Sequence, residues 1–296
     1  MSRVPFAHQM AERVSRMESR LLVGIDPFED RLPDELRKLP AEEALTRFGH
    51  MVVDAVAEVA IAVKVQVAFF ERKGWTGWRA LQSVLEYSHQ RDLPVVLDAK
   101  RGDIGSTATA YAEGLLGEQS GTPGPHVAAL TVNPYLGCDS LEPFLEHAVQ
   151  HGKGLFVLAR TSNAGGLDFQ EQLVGSGTPE PLYMTVARKV SALNEGHIDD
   201  SGYGPVGLVA GATFPEQLTT LRTVAPHSWL LVPGIGAQGG QISDLAPAFD
   251  GMGRGAFPTA SRSVIFPEVR AGESWVEAVA RSAREHRDAI EGVLRV

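Results

Sequence analysis

The chain alternates short apolar, β-branched runs with longer stretches of helical periodicity. Eight runs stand out: LLVGID (21–26), IAVKVQVAFF (61–70), PVVLDAK (94–100), AALTVNPY (128–135), GLFVLAR (154–160), GLVAGAT (207–213), WLLVPGIG (229–236) and the weaker GAFPTASRSVI (255–265). Near-continuous apolar runs suit strands of a parallel sheet covered on both faces. Between them Leu45, Phe48, Val52, Ala55 and Val59 form a helical stripe, and a second lies within 75–91. Trp275, Val279, Ala283 and Ile290 carry the pattern to the end of the chain. The first twenty residues alternate charged and apolar positions without a continuous apolar core, which reads as a short amphipathic helix rather than a signal peptide. Eight strand–helix units without a composition break predict an α/β fold for residues 1–296. The architecture expected is a single (β/α)8 TIM barrel with an N-terminal extra helix, rather than two Rossmann-like halves.

A barrel of this kind carries its chemistry at the C-terminal ends of the strands. The first run ends in Asp26, the third in Asp98 and Lys100, the fifth in Arg160-Thr161-Ser162-Asn163, and the seventh in the Gly-rich GIGAQGG. Lys64 lies inside the second run, where burial without an anion would neutralise it or cost several kcal/mol. The densest segment is LDAKRGDIGSTATAYA (97–112). Asp98 and Lys100, two apart on a strand, face the same side, here the barrel interior. Gly102 ends the strand, Asp103 follows, and Ile104 and Thr107 open the next helix. Lys64, Asp98, Lys100 and Asp103 together make a charge set of net zero. A purely structural ion-pair cluster is the alternative, but buried pairs add little stability and strand-end charges are usually functional.

Composition narrows the partners. The 296 residues are 44% hydrophobic, carry a formal charge of −9 and include one cysteine. One cysteine cannot build a disulfide framework or a Cys-rich zinc site, so a cytoplasmic setting is expected. An acidic chain without a basic block argues against nucleic-acid polymers and anionic membranes, leaving a small molecule. The most apolar stretch, 55–71, carries Glu58 and Lys64 and is too interrupted to span a bilayer.

The run Asp98-x-Lys100-x-x-Asp103-Ile104-x-x-Thr107, preceded by Asp26 and Lys64 and followed by TVNPYLGCDS, RTSN and PGIGAQGG, closely resembles the orotidine 5′-phosphate decarboxylase family. The likeness covers nearly the whole chain and is to the long-loop bacterial subgroup, type 2. It implies a lyase of pyrimidine (UMP) biosynthesis that decarboxylates orotidine 5′-phosphate without metal or organic cofactor. Lys100 would stabilise the C6 carbanion electrostatically and protonate it. Asp98 would lie against the substrate carboxylate, Lys64 would hold the network and contact the ribose, and Asp26 would accept a ribose hydroxyl. Asp103, Ile104 and Thr107 would reach into a neighbouring subunit's site, making a homodimer. Ser162 resembles the residue that reads the pyrimidine edge, with Thr161 as the alternative, and Pro233 would line the base pocket.

For the phosphate, a Gly-rich loop with Gly236, Gln238 and Gly239 presents backbone N–H groups ahead of a helix N-terminus, and Arg262 after strand eight adds a bidentate cation. The resemblance makes Gln238 part of a phosphate gripper. The same loop matches G-x-G-x-x-G, but it follows six other strands and lacks the acidic residue that ribose recognition by a dinucleotide site needs. The competing enzyme class is a magnesium-dependent sugar-phosphate decarboxylase or aldolase on a sister barrel, which wants a carboxylate where Lys64 stands. His147 and His151, i and i+4 on a helix, read as C-terminal capping groups rather than a metal pair. Cys138 reads as a bystander next to the potential N-cap residues Asp139 and Ser140. Asn133 and Asp139 are left as supporting or interface groups. The long segments 28–41, 71–78, 117–126 and 164–180 leave the closing lid unassigned.

Overall fold

A computed structural model describes residues 4–117, 125–236 and 239–294. Each apolar run supplies a strand: β1 Leu22–Ile25, β2 Ala62–Gln66, β3 Val95–Arg101, β4 Ala129–Val132, β5 Gly154–Arg160, β6 Val206–Ala210, β7 Leu230–Pro233 and β8 Ala256–Ala260. They pair in parallel, each with its chain neighbour, and β8 closes on β1 through Leu22 opposite Thr259. The expected (β/α)8 barrel is therefore the observed one. The connecting helices include Ala41–Val56, Gly74–Gln90, Gly105–Leu115, Glu142–His151, Leu182–Leu193, Pro215–Val224 and Trp275–Val293.

Period-two alternation sorts the strand residues into two cores. Outward positions such as Val23, Val63, Val95, Leu130, Val157 and Leu208 pack under the helices. Inward positions Leu22, Ala62, Val96, Ala129, Phe156, Leu231 and Phe257 fill the barrel, where Trp229 stacks on Phe257 at 4.4 Å. The helix Phe6–Met17 joins this inner core through Phe6, Met10 and Val14, closing the N-terminal end of the barrel. Gly154 is the close approach that admits it, since a Cβ there would lie 2.3 Å from the Phe6 ring.

Two apolar runs are shorter as strands than their length suggested. After Gln66 the chain turns helical at Val67, and Ala68–Glu71 forms one turn that buries Phe70. After Ala260 the turn Arg262–Ile265 buries Val264 and Ile265. In both, apolarity marked burial on a helix, which short runs cannot distinguish from strand. The segment 164–180 holds a 3-10 stretch, Ala164–Asp168, and a small hairpin pairing Leu173–Val174 with Glu180–Pro181. Neither Asp139 nor Ser140 caps Glu142–His151: Leu141 holds the N-cap position and the Ser140 hydroxyl donates to Gly137 O. His147 takes the carbonyl of Pro143, one turn back in its own helix, instead of the helix C-terminus. Among the described residues no helix is long and apolar enough to cross a membrane.

Candidate active site

Above the apolar inner core, the same inward parity continues into polar residues at the C-terminal strand ends. Lys64 and Gln66 follow Ala62 on β2, Asp98 follows Val96 on β3, and Thr131 follows Ala129 on β4. They line a cavity of about 310 Å³ together with Asp26, Lys100, Thr161, Ser162, Pro233, Gly234 and Arg262.

The centre of the cavity is the Asp98 carboxylate, which accepts four hydrogen bonds. Lys64 Nζ (2.8 Å) and Gln66 Nε2 (2.9 Å) donate to Oδ2, while Lys100 Nζ (2.6 Å) and Thr131 Oγ1 (2.9 Å) donate to Oδ1. Burial alone would raise the pKa of Asp98; the charges of Lys64 and Lys100 and their hydrogen bonds override it and hold the acid well below the usual carboxylate range. For Lys64 burial again opposes the charged form. The attraction of Asp98, then of Asp26, and the bond to Asp98 outweigh it, leaving the ammonium pKa above its ordinary value. Both side chains are thus buried as ions, at 7% and 8% exposure, whereas that of Lys100 is 45% exposed and reaches the open part of the cavity. Asp26 contributes a carboxylate oxygen, Oδ1, that is buried and accepts no hydrogen bond in the structure.

The end of β3 is irregular. Leu97 pairs with Leu130 and Arg101 with Val132, so three residues of β3 stand opposite Thr131 alone, and Lys100 adopts φ +48°. Left-handed backbone is uncommon for a lysine and is held here by its surroundings. Simple i, i+2 alternation put Asp98 and Lys100 on one face; their side chains do meet, but through this bulge rather than along a regular strand.

On the opposite wall, Thr161 and Ser162 follow β5. Arg160, 1% exposed, pairs with Glu171 at 2.9 Å, lies 4.2 Å from the Phe214 ring centre and donates to Thr161 O. Gln170 accepts the Thr161 N–H (2.9 Å) and donates to its hydroxyl (2.8 Å), which in turn donates to Asn163 Oδ1 (2.6 Å). The inserted segment after β5 therefore fixes this wall, and the Thr161 hydroxyl is engaged within its own loop.

The Gly-rich loop differs from expectation. No α-helix follows it; Ile242–Ala248 is a 3-10 stretch containing Pro247, whose ring and missing N–H disfavour a continued helix. The amides of Gly236, Gly239 and Gly240 bond to Gly240 O, Gly236 O and Gly234 O, so the loop closes on itself. Gly236 and Gly239 are not among the described residues that line the cavity, and their N–H groups are taken up by carbonyls of the loop. Gly234, Ile235 and Arg262 do line the cavity. Gln238 lies outside the described residues.

Asp103, Ile104 and Thr107 also lie away from the cavity of their own chain. Asp103 Oδ1 accepts the Ile104 N–H, Ile104 is 58% exposed, and Thr107 is exposed on the first turn of Gly105–Leu115. Asn133 accepts the Tyr135 N–H in a turn outside the cavity. Sequence reasoning missed Gln66, Thr131, Thr259 and Ser261, all cavity-lining. The parity that paired Asp98 with Lys100 would have found each of them, counted from Lys64, Ala129 or Phe257.

A family model for the orotidine 5′-phosphate decarboxylase / HUMPS family matches residues 19–268. The chain is 43% identical to the orotidine 5′-phosphate decarboxylase of Rhodopirellula baltica over 97% of this chain and 99% of that protein. It is 41% identical to that of Haloarcula marismortui over 95% and 96%. The structure of Leishmania donovani OMP decarboxylase superposes with a TM-score of 0.79 at 33% identity, covering 100% of both chains. Fold, charged strand ends and sequence thus converge, and the chain belongs to the orotidine 5′-phosphate decarboxylase family.

Proposed function

We propose that the protein decarboxylates orotidine 5′-phosphate to UMP and CO2, the final step of pyrimidine (UMP) biosynthesis. The observation that carries this reading is the Lys64–Asp98–Lys100 cluster, in which two ammonium groups flank one ionised carboxylate at the floor of a cavity walled by Arg262.

In this reading Arg262 takes the phosphate, Asp26 and Lys64 hold the ribose, and Pro233 and Ser162 meet the pyrimidine. Ser162 reads the base edge, and Thr161, which lines the same wall of the cavity, is the alternative. The substrate carboxylate then sits by Asp98, and C6 sits by Lys100. The bond from C6 to the carboxylate breaks and its electron pair stays on C6 in the ring plane, where no π system can absorb it. CO2 departs. The Lys100 ammonium stabilises that pair as it forms and transfers a proton to C6, leaving a neutral amine that solvent reprotonates. Asp98, already accepting four bonds, remains ionised throughout and fixes the ammonium. The protein's own charges supply the stabilisation, with no metal or organic cofactor.

Asp103, Ile104 and Thr107 complete the site of a second copy in a homodimer. The exposure of Ile104 and Thr107, together with that of the large side chains Tyr111, Tyr135 and Leu136, supports that arrangement. Inactive Lys100→Ala and Asp103→Ala subunits, when mixed, should regain activity through hybrid dimers; no recovery despite measured subunit exchange would remove the shared site. One cysteine in 296 residues supports a cytoplasmic location.

The activity is tested by following orotidylate absorbance with purified protein in EDTA. Turnover is expected. Its absence, or its appearance only on adding magnesium, would overturn the assignment and favour the metal-dependent sugar-phosphate class.

A further inference from the structure

Asp98 and Lys100 are joined by a third group that belongs to neither lysine nor acid. The Thr131 hydroxyl donates to Asp98 Oδ1 at 2.9 Å and accepts the backbone N–H of Lys100 at 2.9 Å, and the residue is 1% exposed. One O–H and one lone pair of the same oxygen thus tie the carboxylate to the backbone of the next functional residue. Packing does not ask for this hydroxyl: in the strand ALTV a valine would fill nearly the same volume, and a buried hydroxyl is unfavourable unless it is bonded.

The position is also the point where the ladder between β3 and β4 slips. Asp98, Ala99 and Lys100 share Thr131 as their single opposite residue, and Lys100 is held at φ +48°. A side chain therefore accepts the Lys100 N–H at the slipped register. We infer that Thr131 is a positioning residue for the decarboxylation. Its hydroxyl locks the left-handed turn at Lys100 and so fixes the direction of the Lys100 Cα–Cβ bond and the place of its ammonium. This inference rests on the decarboxylase reading, in which the ammonium must lie against C6, where a displacement of about 1 Å costs about 100-fold in rate.

The test compares Thr131→Val, which keeps the shape and loses the hydroxyl, with Thr131→Ser, which keeps the hydroxyl. Thr131→Val should lower kcat roughly 10- to 100-fold, while KM and the affinity for UMP stay within about threefold; Thr131→Ser should keep kcat within about threefold of the parent. In protein labelled with 15N-lysine, the Lys100 amide should exchange with solvent at least about tenfold faster in Thr131→Val than in the parent or Thr131→Ser, as expected for a donor that has lost its acceptor. Unchanged turnover in Thr131→Val overturns the inference. So does an equal loss in Thr131→Ser, which would trace the effect to packing of the methyl group, or a parallel loss of UMP affinity, which would trace it to general damage. If Thr131→Val does not fold, Thr131→Cys, whose sulfur is a weak hydrogen-bonding partner, takes its place against Thr131→Ser, and equal turnover of those two is then the refuting result. A parent protein that does not decarboxylate orotidylate would instead refute the underlying reading, while the amide exchange would still report whether Thr131 holds Lys100.

Discussion

Removing charge from the Lys64–Asp98 pair should reveal how strongly the site is coupled. In Asp98→Asn the Lys64 ammonium, 7% exposed, loses its 2.8 Å counter-ion and keeps only the more distant attraction of Asp26. Stranding a buried charge from one side costs about 3–5 kcal/mol. Lys64→Met is milder: Asp98 keeps Lys100, Gln66 and Thr131 as donors, and losing one of four bonds costs about 1–3 kcal/mol. Independent effects would sum to about 4–8 kcal/mol in the double variant. The double variant no longer contains the ammonium that Asp98→Asn strands, so its loss should fall below that of Asp98→Asn alone, a coupling larger than the cost of about 1–3 kcal/mol assigned to Lys64→Met. Urea unfolding at one fixed protein concentration, read by circular dichroism and tryptophan fluorescence with coincident transitions, measures all four proteins. Additivity to within about 0.5 kcal/mol would refute the claim that the two groups are buried as a mutually dependent ion pair.

Lys100→Ala should abolish turnover while UMP still binds in a calorimetric titration; near-normal turnover would remove Lys100 as the proton donor. Gly24→Ala should weaken UMP at least about tenfold and uridine little, because the new Cβ would sit 1.8 Å from Ser261 Oγ and 2.8 Å from Ser261 Cβ, displacing the backbone that carries Arg262. Equal losses for the two ligands would contradict that route. Since the folded pKa of Asp98 lies below its unfolded value of about 3.9, its stabilisation is complete above that pH and is lost as pH falls through the folded value. Melting temperature should therefore fall less steeply between about pH 4 and pH 2 in Asp98→Asn than in the parent, and parallel curves would count against the depressed pKa.

Much of this molecule is written in two periods. Alternation of two along each run distinguishes the outward Val63 and Val65 from the inward Lys64, and the 3.6 repeat of Leu45, Phe48 and Val52 marks the helix that covers them. The positions of Asp26, Asp98 and Lys100 follow from strand ends, and the family resemblance supplied roles that spacing could not. What stayed illegible was local. The bulge at Lys100 arises from pairing with β4, which no pattern within β3 reveals. The helical turns after β2 and β8 bury Phe70, Val264 and Ile265, so apolarity extended the strands too far. The Gly-rich loop has the composition of an anion cradle, yet the amides of Gly236, Gly239 and Gly240 bond to carbonyls of the same loop, in a turn with positive φ at Gly234, Gly236 and Gly239. The segment after β5 read only as a long loop, although its Gln170 and Glu171 brace Thr161 and Arg160 across nine to eleven residues of chain.

The helix Phe6–Met17, with Phe6, Met10 and Val14 wedged among the inner strand residues, fills the N-terminal end of the barrel and leaves the cavity at the C-terminal strand ends as its open face. In the proposed reaction, nucleotide arrives, carbon dioxide departs, and the proton spent by Lys100 is replaced at that same face. Entry, exit and proton supply are then not separate channels to be regulated one by one. Whatever shuts the mouth halts all three together, and whatever opens it restores them in the same instant.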